Sequence, residues 1–127
     1  MNLKDKMTHS VLLVDDDKDI IELLRQNLED LSFRVYSAEN GQVALDFLAK
    51  NKVDCVVTDI SMPVIDGAEF IKRLQARGDF TPFFIITGYL DYPREDLNQY
   101  KPRAIIFKPF DFEEAAILIK NHLMRLP

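Results

Sequence analysis

The chain has 127 residues, 47% of them hydrophobic and 29% charged, and its formal net charge is −5. This length fits one domain with a real core, and the composition is that of an ordinary globular protein rather than a disordered or fibrous one. The acidic balance argues against direct nucleic-acid binding, and no apolar run approaches the length of a membrane span.

The N-terminus and the single cysteine indicate the cellular compartment. Residues 1–9 are polar and lack the apolar segment of a signal peptide, so we predict a short tail followed by one domain over 10–127. Cys55 cannot form an internal disulfide and lies in an apolar run, which predicts a buried, inert thiol. Together these features predict a cytoplasmic protein that does not bind membranes.

The first half of the chain alternates between strand and helix patterns. We predict a strand, a helix, a strand and a helix over 10–15, 18–31, 33–38 and 41–51. In the first helix, apolar residues recur at helical spacing at Ile20, Leu24, Leu28 and Leu31. In the second helix, we predict an inward stripe of Val43, Phe47 and Leu48.

The second half continues the alternation. We predict a strand, a helix, two strands and a last helix over 53–59, 68–78, 82–87, 104–108 and 111–126. Gly78 has the character of a helix stop, and Asp111 with Glu114 has the spacing of a capping box. Between the last two strands, Pro93 and Pro102 limit residues 90–102 to a short, distorted helix.

This alternation predicts an α/β fold, a parallel sheet with helices on both faces. The near-continuous apolar strands agree, because central parallel strands are buried on both sides. With the strand order 2-1-3-4-5, the carboxyl ends of strands one, three, four and five share one crevice, which is where ligands bind in such sheets.

Polar residues stand at those four strand ends: Asp15 with Asp16 and Asp17, Asp59, Thr87, and Lys108. Crowded carboxylates repel one another unless a cation is present, and an all-oxygen ligand set favours Mg²⁺. A carboxylate at the rim of the sheet can attack phosphorus and form an acyl phosphate. Lys108 would neutralise charge on the transferred group, and Thr87 would hydrogen-bond a phosphoryl oxygen.

Four segments, "VLLVDDD", "VVTDISMPVIDG", "FFIITG" and "IIFKPF", resemble the signatures of bacterial response-regulator receiver domains. The resemblance covers residues 10–126 and implies the flavodoxin-like receiver fold. It implies a phosphorylation-dependent switch rather than an enzyme, with only self-phosphorylation from small donors and self-dephosphorylation. It also implies a sensor histidine kinase or phosphotransfer protein as donor and a downstream protein that the sequence does not identify.

The resemblance assigns roles by position. It implies Asp59 as phospho-acceptor, Asp16 as direct metal ligand, Asp15 as ligand through water, the backbone carbonyl of Ser61 as a further ligand, and Thr87 and Lys108 as switch residues. It also implies a cis peptide bond between Lys108 and Pro109.

Two features depart from the family pattern: residue 105, and the proline-containing segment 90–102, which is unlike the Ala-Gly-rich stretch common in the family. Ile105 stands where well-switching members carry an aromatic residue, and Phe107 points to the same face one strand repeat later.

Ser61 and Tyr89 would flank the path of a hydrolytic water, and the bulk of Tyr89 predicts slow self-dephosphorylation.

Several residues have ordinary structural interpretations. Asp17 is expected to cap the first helix, and Asp66 with Gly67 is expected to form a turn. His9 and His122 have no partners at metal-ligand spacing and are expected at the surface.

Three other functions compete with a switching receiver. A phosphatase of the haloacid-dehalogenase type would need an acid where Ser61 stands. A flavodoxin-like nucleotide binder would need a phosphate-binding loop in place of the acidic "DDDKD". A receiver that no longer switches would act as a constitutive docking module. The chain stops at Pro127, and we expect either a stand-alone regulator or a receiver from a larger protein.

Overall fold

The computed structural model describes residues 9–88 and 94–124, in which strands and helices alternate throughout. The strands are β1 (His9–Val14), β2 (Phe33–Ala38), β3 (Cys55–Asp59), β4 (Phe83–Gly88) and β5 (Ala104–Lys108). The helices are α1 (Lys18–Asp30), α2 (Gly41–Lys50), α3 (Gly67–Ala76), α4 (Arg94–Asn98) and α5 (Phe112–Met124). The predicted order of elements is confirmed, and β2 and β5 have the predicted bounds.

The strands form one parallel sheet in the order β2-β1-β3-β4-β5, as predicted. The central strand β3 is buried along its whole length, whereas β5, at one edge, is mostly half-buried. Because all strands run the same way, their carboxyl ends lie at one edge of the sheet, and the polar residues predicted there are brought together.

Alternate residues of each strand pack into two separate core layers. Leu12, Val56 and Ile85 face α2, α3 and α4, whereas their neighbours face α1 and α5. Phe70 of α3 and Leu28 of α1 are fully buried in these two layers, and each such side chain stabilises the fold by about 1.5 to 3 kcal/mol. The sheet is therefore held from both faces, as predicted.

Side-chain caps fix the helix boundaries. The Asp17 carboxylate accepts hydrogen bonds from the backbone N–H groups of Asp19 and Ile20, at 2.9 and 3.3 Å, and so caps α1 as predicted. The Asp111 carboxylate accepts from the Glu114 amide at 2.9 Å at the start of α5. After α3, Gly78 has a φ of 83°, a left-handed conformation that favours glycine.

The prediction for the inward face of α2 is confirmed for Leu48 and wrong for Val43, and Phe47 is only half-buried. The buried residues of this helix are Gly41, Ala44, Leu45 and Leu48. Val43 is 41% exposed. Phe47 is half-buried, and its ring centroid lies 5.2 Å from that of Tyr36 of β2 with the ring planes tilted by 42°. Small residues let α2 approach the loop before α3 closely. A Cβ on Gly41 would lie 3.0 Å from the carbonyl oxygen of Ile65 in that loop. A search for large apolar side chains at helical spacing overlooks such a face.

The two histidines are not simple surface residues. Both are half-buried. The His9 ring packs 5.8 Å from Phe33, and the His122 ring lies edge-on to Phe84 at the same distance. Each histidine therefore covers the end of the core layer between the sheet and helices α1 and α5.

The region before β5 contains a short helix, as predicted, over the five residues of α4. The peptide bond between Lys108 and Pro109 is cis, which confirms that prediction. Within 9–88 and 94–124, none of the helices combines the length and apolar character needed to cross a membrane.

Candidate functional site

Two buried carboxylates and one lysine meet at the carboxyl edge of the sheet. Asp59 is the last residue of β3, Asp15 directly follows β1, and each residue is only 4% exposed. Lys108, the last residue of β5, reaches across β4 to both acids. Its Nζ atom donates to Asp59 Oδ2 at 3.0 Å and lies 3.7 Å from Asp15 Oδ2.

Lys108 is held as a cation by its neighbours. Burial lowers the pKa of its amine, but the hydrogen bond to Asp59 and the charge of Asp15 more than offset this effect, so that the pKa is raised overall. The lysine therefore stays charged at neutral pH and neutralises one of the negative charges at the site.

Asp15 carries an incompletely compensated charge. Its Oδ1 accepts a hydrogen bond from the Asp17 amide at 2.9 Å, whereas its buried Oδ2 lacks a hydrogen-bond donor within the described residues. Burial raises the pKa of this carboxyl to about 6, and the charge of Asp59 adds to the increase. A buried acceptor in this state costs free energy, and a bound cation would relieve that cost.

The donor set fits a hard divalent metal ion. Asp15, Asp16 and Asp59 each offer a carboxylate oxygen, and these atoms lie within 4.8 Å of one another. Asp16 is exposed and the other two acids are buried, so the cluster opens to solvent on one side. Oxygen ligands few enough to leave room for water are typical of Mg²⁺ rather than of a softer metal.

The loop after β3 is built around the carboxylate and the backbone of Asp59. The amide of Ser61 donates to Asp59 Oδ1 at 3.3 Å, and the amide of Gly67 donates to the carbonyl of Ile60 at 2.8 Å. The Asp66 carboxylate accepts from the Glu69 amide and caps α3, so that Asp66 and Gly67 begin this helix rather than form the predicted separate turn. The loop thus ties the end of β3 to the start of α3.

Gly67 is a site residue that sequence reasoning missed. A Cβ built on it would lie 2.2 Å from the carbonyl oxygen of Asp59 and 2.8 Å from the Cα of Ile60. Glycine is therefore needed for space, not for an unusual φ. The Asp-Gly pair in the sequence signalled a turn but could not show which backbone it approaches.

Within the described residues, neither Thr87 nor Ile105 makes a hydrogen bond to Asp59. The Thr87 side chain is fully buried, and its hydroxyl donates to the carbonyl of Gly88 at 3.2 Å. Ile105 is half-buried, pairs with Ile85 across the sheet and packs on the layer under α2 and α3. Phe107 is the register partner of Thr87. Tyr89, predicted to cover the phosphoryl group, lies outside the described residues.

Residues 11–120 match the family described as "Response regulator receiver domain". The chain belongs to this family. Its acidic pocket of Asp15, Asp16 and Asp59 is consistent with the magnesium-binding phosphorylation site of receiver domains in two-component signalling.

Similar curated proteins are longer than this chain. Response regulator MprA of Mycobacterium sp. (strain KMS) is 40% identical over 124 residues, which cover 91% of this chain and 50% of that protein. MprA of Mycobacterium tuberculosis (strain H37Ra) is 37% identical over 94% of this chain and 52% of that protein. The chain spans about half the length of the curated relatives it matches.

Solved receiver domains share the whole fold. The receiver domain of Francisella response regulator 1452 is 28% identical with a TM-score of 0.83, covering 93% of this chain and 98% of that chain. TrrA of Thermotoga maritima, solved in complex with Mg²⁺ and BeF, is 30% identical with a TM-score of 0.80, covering 91% of this chain and 99% of that chain.

Proposed function

We propose that Asp59 accepts a phosphoryl group from a phosphohistidine on a sensor kinase or phosphotransfer protein. One observation carries this proposal: Asp59 is buried at the strand end, with its Oδ2 3.0 Å from a lysine and an incompletely paired acid beside it. The arrangement places carboxylates beside one lysine. A metal ion can bind the carboxylates, and the lysine can neutralise charge on a transferred phosphoryl group.

The transfer is a simple displacement at phosphorus. A carboxylate oxygen of Asp59 forms the new O–P bond while the N–P bond of the phosphohistidine breaks, and the bonding electrons return to the imidazole nitrogen. Lys108 stabilises the charge on the phosphoryl oxygens as they approach. The product is an acyl phosphate on Asp59 and an unmodified histidine on the donor.

Asp15, Asp16 and Asp59 would hold Mg²⁺, with the backbone carbonyl of Ser61 as a further ligand. When bound, the ion supplies positive charge that offsets carboxylate repulsion and the charge of the phosphoryl group. Within the described residues, the buried Oδ2 of Asp15 accepts no hydrogen bond, which supports this assignment because a water bound to the cation would satisfy it. The exposed Asp16 would act as the direct ligand on the solvent side.

We further propose that the phosphoryl group draws Thr87 and Lys108 toward Asp59. Movement of these residues would alter β4 and β5 and the neighbouring surface of α4 and α5, where a downstream protein binds. The shift can be no larger than the differential affinity of these contacts for the two states. Residues 10–127 would form this cytoplasmic switch, with residues 1–9 as a tail, acting without direct nucleic-acid or membrane binding.

The test is labelling with a small phosphodonor and Mg²⁺. We expect one phosphoryl group, labile to hydroxylamine and absent from the Asp59→Asn variant. Asp54 is a matched control, because it precedes the same strand at the opposite edge of the sheet, and Asp54→Asn should label normally. Full labelling of Asp59→Asn would refute the assignment.

A receiver that does not switch is the second candidate, and Ile105 is the observation that favours it. An aliphatic side chain replaces the expected aromatic next to the switch, although Phe107 pairs with Thr87 across the same strands. Comparison of wild type, Thr87→Ala and Phe107→Ala by NMR, with and without phosphodonor, separates the candidates. Phosphorylation that shifts no resonance of β5 or α5 would support a docking module.

A further inference from the structure

Two cavities meet at Phe80, at the edge of the sheet opposite Asp59. The first, of about 390 Å³, has apolar walls of Ile71, Leu74 and Phe83. The second, of about 590 Å³, lies between the ends of α2 and α3 and includes Leu48 and Val53. Both are lined by the loop that carries Phe80, so the ring stands between two hollows.

Phe80 is presented to solvent by a tightly bonded loop. The side chain is 73% exposed. The backbone before it is held by the amide of Asp79, which donates to the Leu74 carbonyl at 2.9 Å. The backbone after it is held by Thr81, whose amide and hydroxyl donate to the Asp79 carboxylate at 3.1 and 2.6 Å. The exposed Phe80 ring and the apolar walls of the first hollow leave apolar surface in contact with water, which a partner would cover.

The rim of these cavities is basic although the chain is acidic. Its charged residues are Lys52, Arg77, Lys101, Arg103 and Asp79. The only acid among them is already hydrogen-bonded by Thr81. Four cations against one acid give a local charge of +3 in a chain whose net charge is −5. We call this patch, Phe80 with its four cations, the amino-edge surface.

We propose that the amino-edge surface docks an acidic segment of a partner protein, with apolar side chains that pack on Phe80 and enter the first hollow beside it. The surrounding cations would attract and orient such a segment. A protein segment fits better than nucleic acid, because the first hollow has apolar walls and the rest of the molecule repels a polyanion. The surface lies at the opposite edge from Asp59, so docking does not need phosphorylation.

The test uses a panel of fluorescein-labelled peptides. Each has two leucines, separated by one, two or three residues and flanked by glutamates. Control peptides replace the glutamates by lysines or the leucines by serines. We expect at least one acidic peptide to bind measurably in fluorescence anisotropy, with weaker binding at higher salt, and both control peptides to bind at least about tenfold more weakly.

Matched variants locate the site. Phe80→Ser and Arg103→Glu should each weaken binding about tenfold. Val43→Ser removes another exposed apolar side chain on α2, and Arg34→Glu reverses a charge on the edge strand β2; neither should change the affinity. Asp59→Asn should bind as tightly as wild type, so this proposal and the phospho-acceptor proposal can fail separately.

Three results would overturn the proposal. The first is an acidic panel that binds no better than its lysine controls. The second is a single-stranded oligonucleotide that binds more tightly than any peptide and loses affinity in Arg103→Glu. The third is concentration-dependent self-association, lost in Phe80→Ser, which would make the surface an interface between two copies of the chain.

Discussion

Asp15 shows how one residue can oppose folding and serve a site. Its carboxylate is 4% exposed, and the nearest cation, the Lys108 amine, is 3.7 Å away and bonded more closely to Asp59. Ionisation of Asp15 is therefore less favourable in the folded chain than in the unfolded one. The folded protein pays this cost in free energy as long as no metal ion is bound.

We predict that Asp15→Asn stabilises the metal-free protein by about 1 to 3 kcal/mol at pH 7.5, because it removes a buried charge and keeps an acceptor for the Asp17 amide. The pKa is raised from 3.8 to about 6. Wild type thus loses stability as pH rises through this range, and the advantage of the variant grows from pH 4 to pH 7. Urea unfolding at several pH values measures it.

Asp16→Asn is the control for burial, because Asp16 is exposed. It should change metal-free stability by less than about 0.5 kcal/mol. Both variants should lose most of the stabilisation that Mg²⁺ gives to wild type, since a ligand that binds only the folded state raises stability by mass action. An undiminished Mg²⁺ effect in both variants would contradict the proposed ligand set.

Val64 is a second residue that lowers the stability of the folded protein, in this case through backbone strain. Its φ is 71°, in the left-handed region, where a β-branched side chain is strained, and it is 78% exposed. We predict that Val64→Asn raises stability by about 0.5 to 1.5 kcal/mol, because asparagine tolerates this conformation. Val43→Asn, on helix α2, is the matched control and should give no gain. A lower melting temperature for Val64→Asn would show that the valine side chain makes stabilising contacts.

At the residue scale, the sequence predicted which side chains meet at the site better than it predicted steric constraints on the backbone. Asp15, Asp59 and Lys108 were identifiable because the ends of parallel strands must meet at one edge. In the structure, the Lys108 Nζ atom lies within 3.7 Å of a carboxylate oxygen of each acid. The need for glycine at position 67 and the strain at Val64 were not identifiable. Both depend on how a loop folds back over a strand, which local sequence patterns do not specify.

The junction between β3 and α3 is the element most closely tied to the site. We predict that Gly67→Ala destabilises the protein by about 3 kcal/mol or more, because its Cβ would lie 2.2 Å from the Asp59 carbonyl oxygen. Gly78→Ala, at the end of α3, is the control. Its Cβ would meet nothing within 4 Å, so only the left-handed φ of 83° is strained, at about 1 kcal/mol.

Chemical denaturation of the two glycine variants checks this ranking. If Gly67→Ala does not fold at room temperature, the two alanine variants compared at low temperature with a stabilising osmolyte keep the comparison possible. Equal losses at the two positions would mean that the loop moves away from β3 at little cost.

At the element scale, strand and helix order followed from the hydrophobic pattern, whereas helix faces did so only in part. Leu24 and Leu28 of α1 are buried as predicted. The face of α2 was misassigned because its contact with the β3–α3 loop uses Gly41 and Ala44. Periodicity detects large apolar side chains, and a close approach between backbones removes them from the contact.

The whole molecule protects its single cysteine. Cys55 is fully buried in the layer under α1 and α5, and burial raises the pKa of its thiol well above the ordinary range. A reagent can reach this thiolate only when the sheet opens. Reaction at Cys55 therefore reports on opening of the central sheet rather than on a local surface.

We predict that Cys55 reacts with a thiol reagent only through the small fraction of molecules that is open or unfolded at equilibrium. Mg²⁺ should slow the reaction, about tenfold for each 1.4 kcal/mol of stabilisation. The measurement is the time course of absorbance with Ellman's reagent, with and without Mg²⁺, and Asp16→Asn is the control that should not respond to the ion. Immediate reaction of the native protein would show that Cys55 is accessible without unfolding.

The close contact between Gly67 and the backbone of Asp59 makes one side of the site more rigid than the other. On one side, the backbone of Asp59 rests against the start of α3 with no space for even a methyl group. On the other side, Lys108 holds Asp59 through a long, flexible side chain from an edge strand. The carboxylate that we propose as phospho-acceptor is therefore held firmly on the α3 side, and we expect displacement to be easier on the β4 and β5 side. Even in the unphosphorylated protein, the packing therefore favours movement of β4 and β5 over movement of α3.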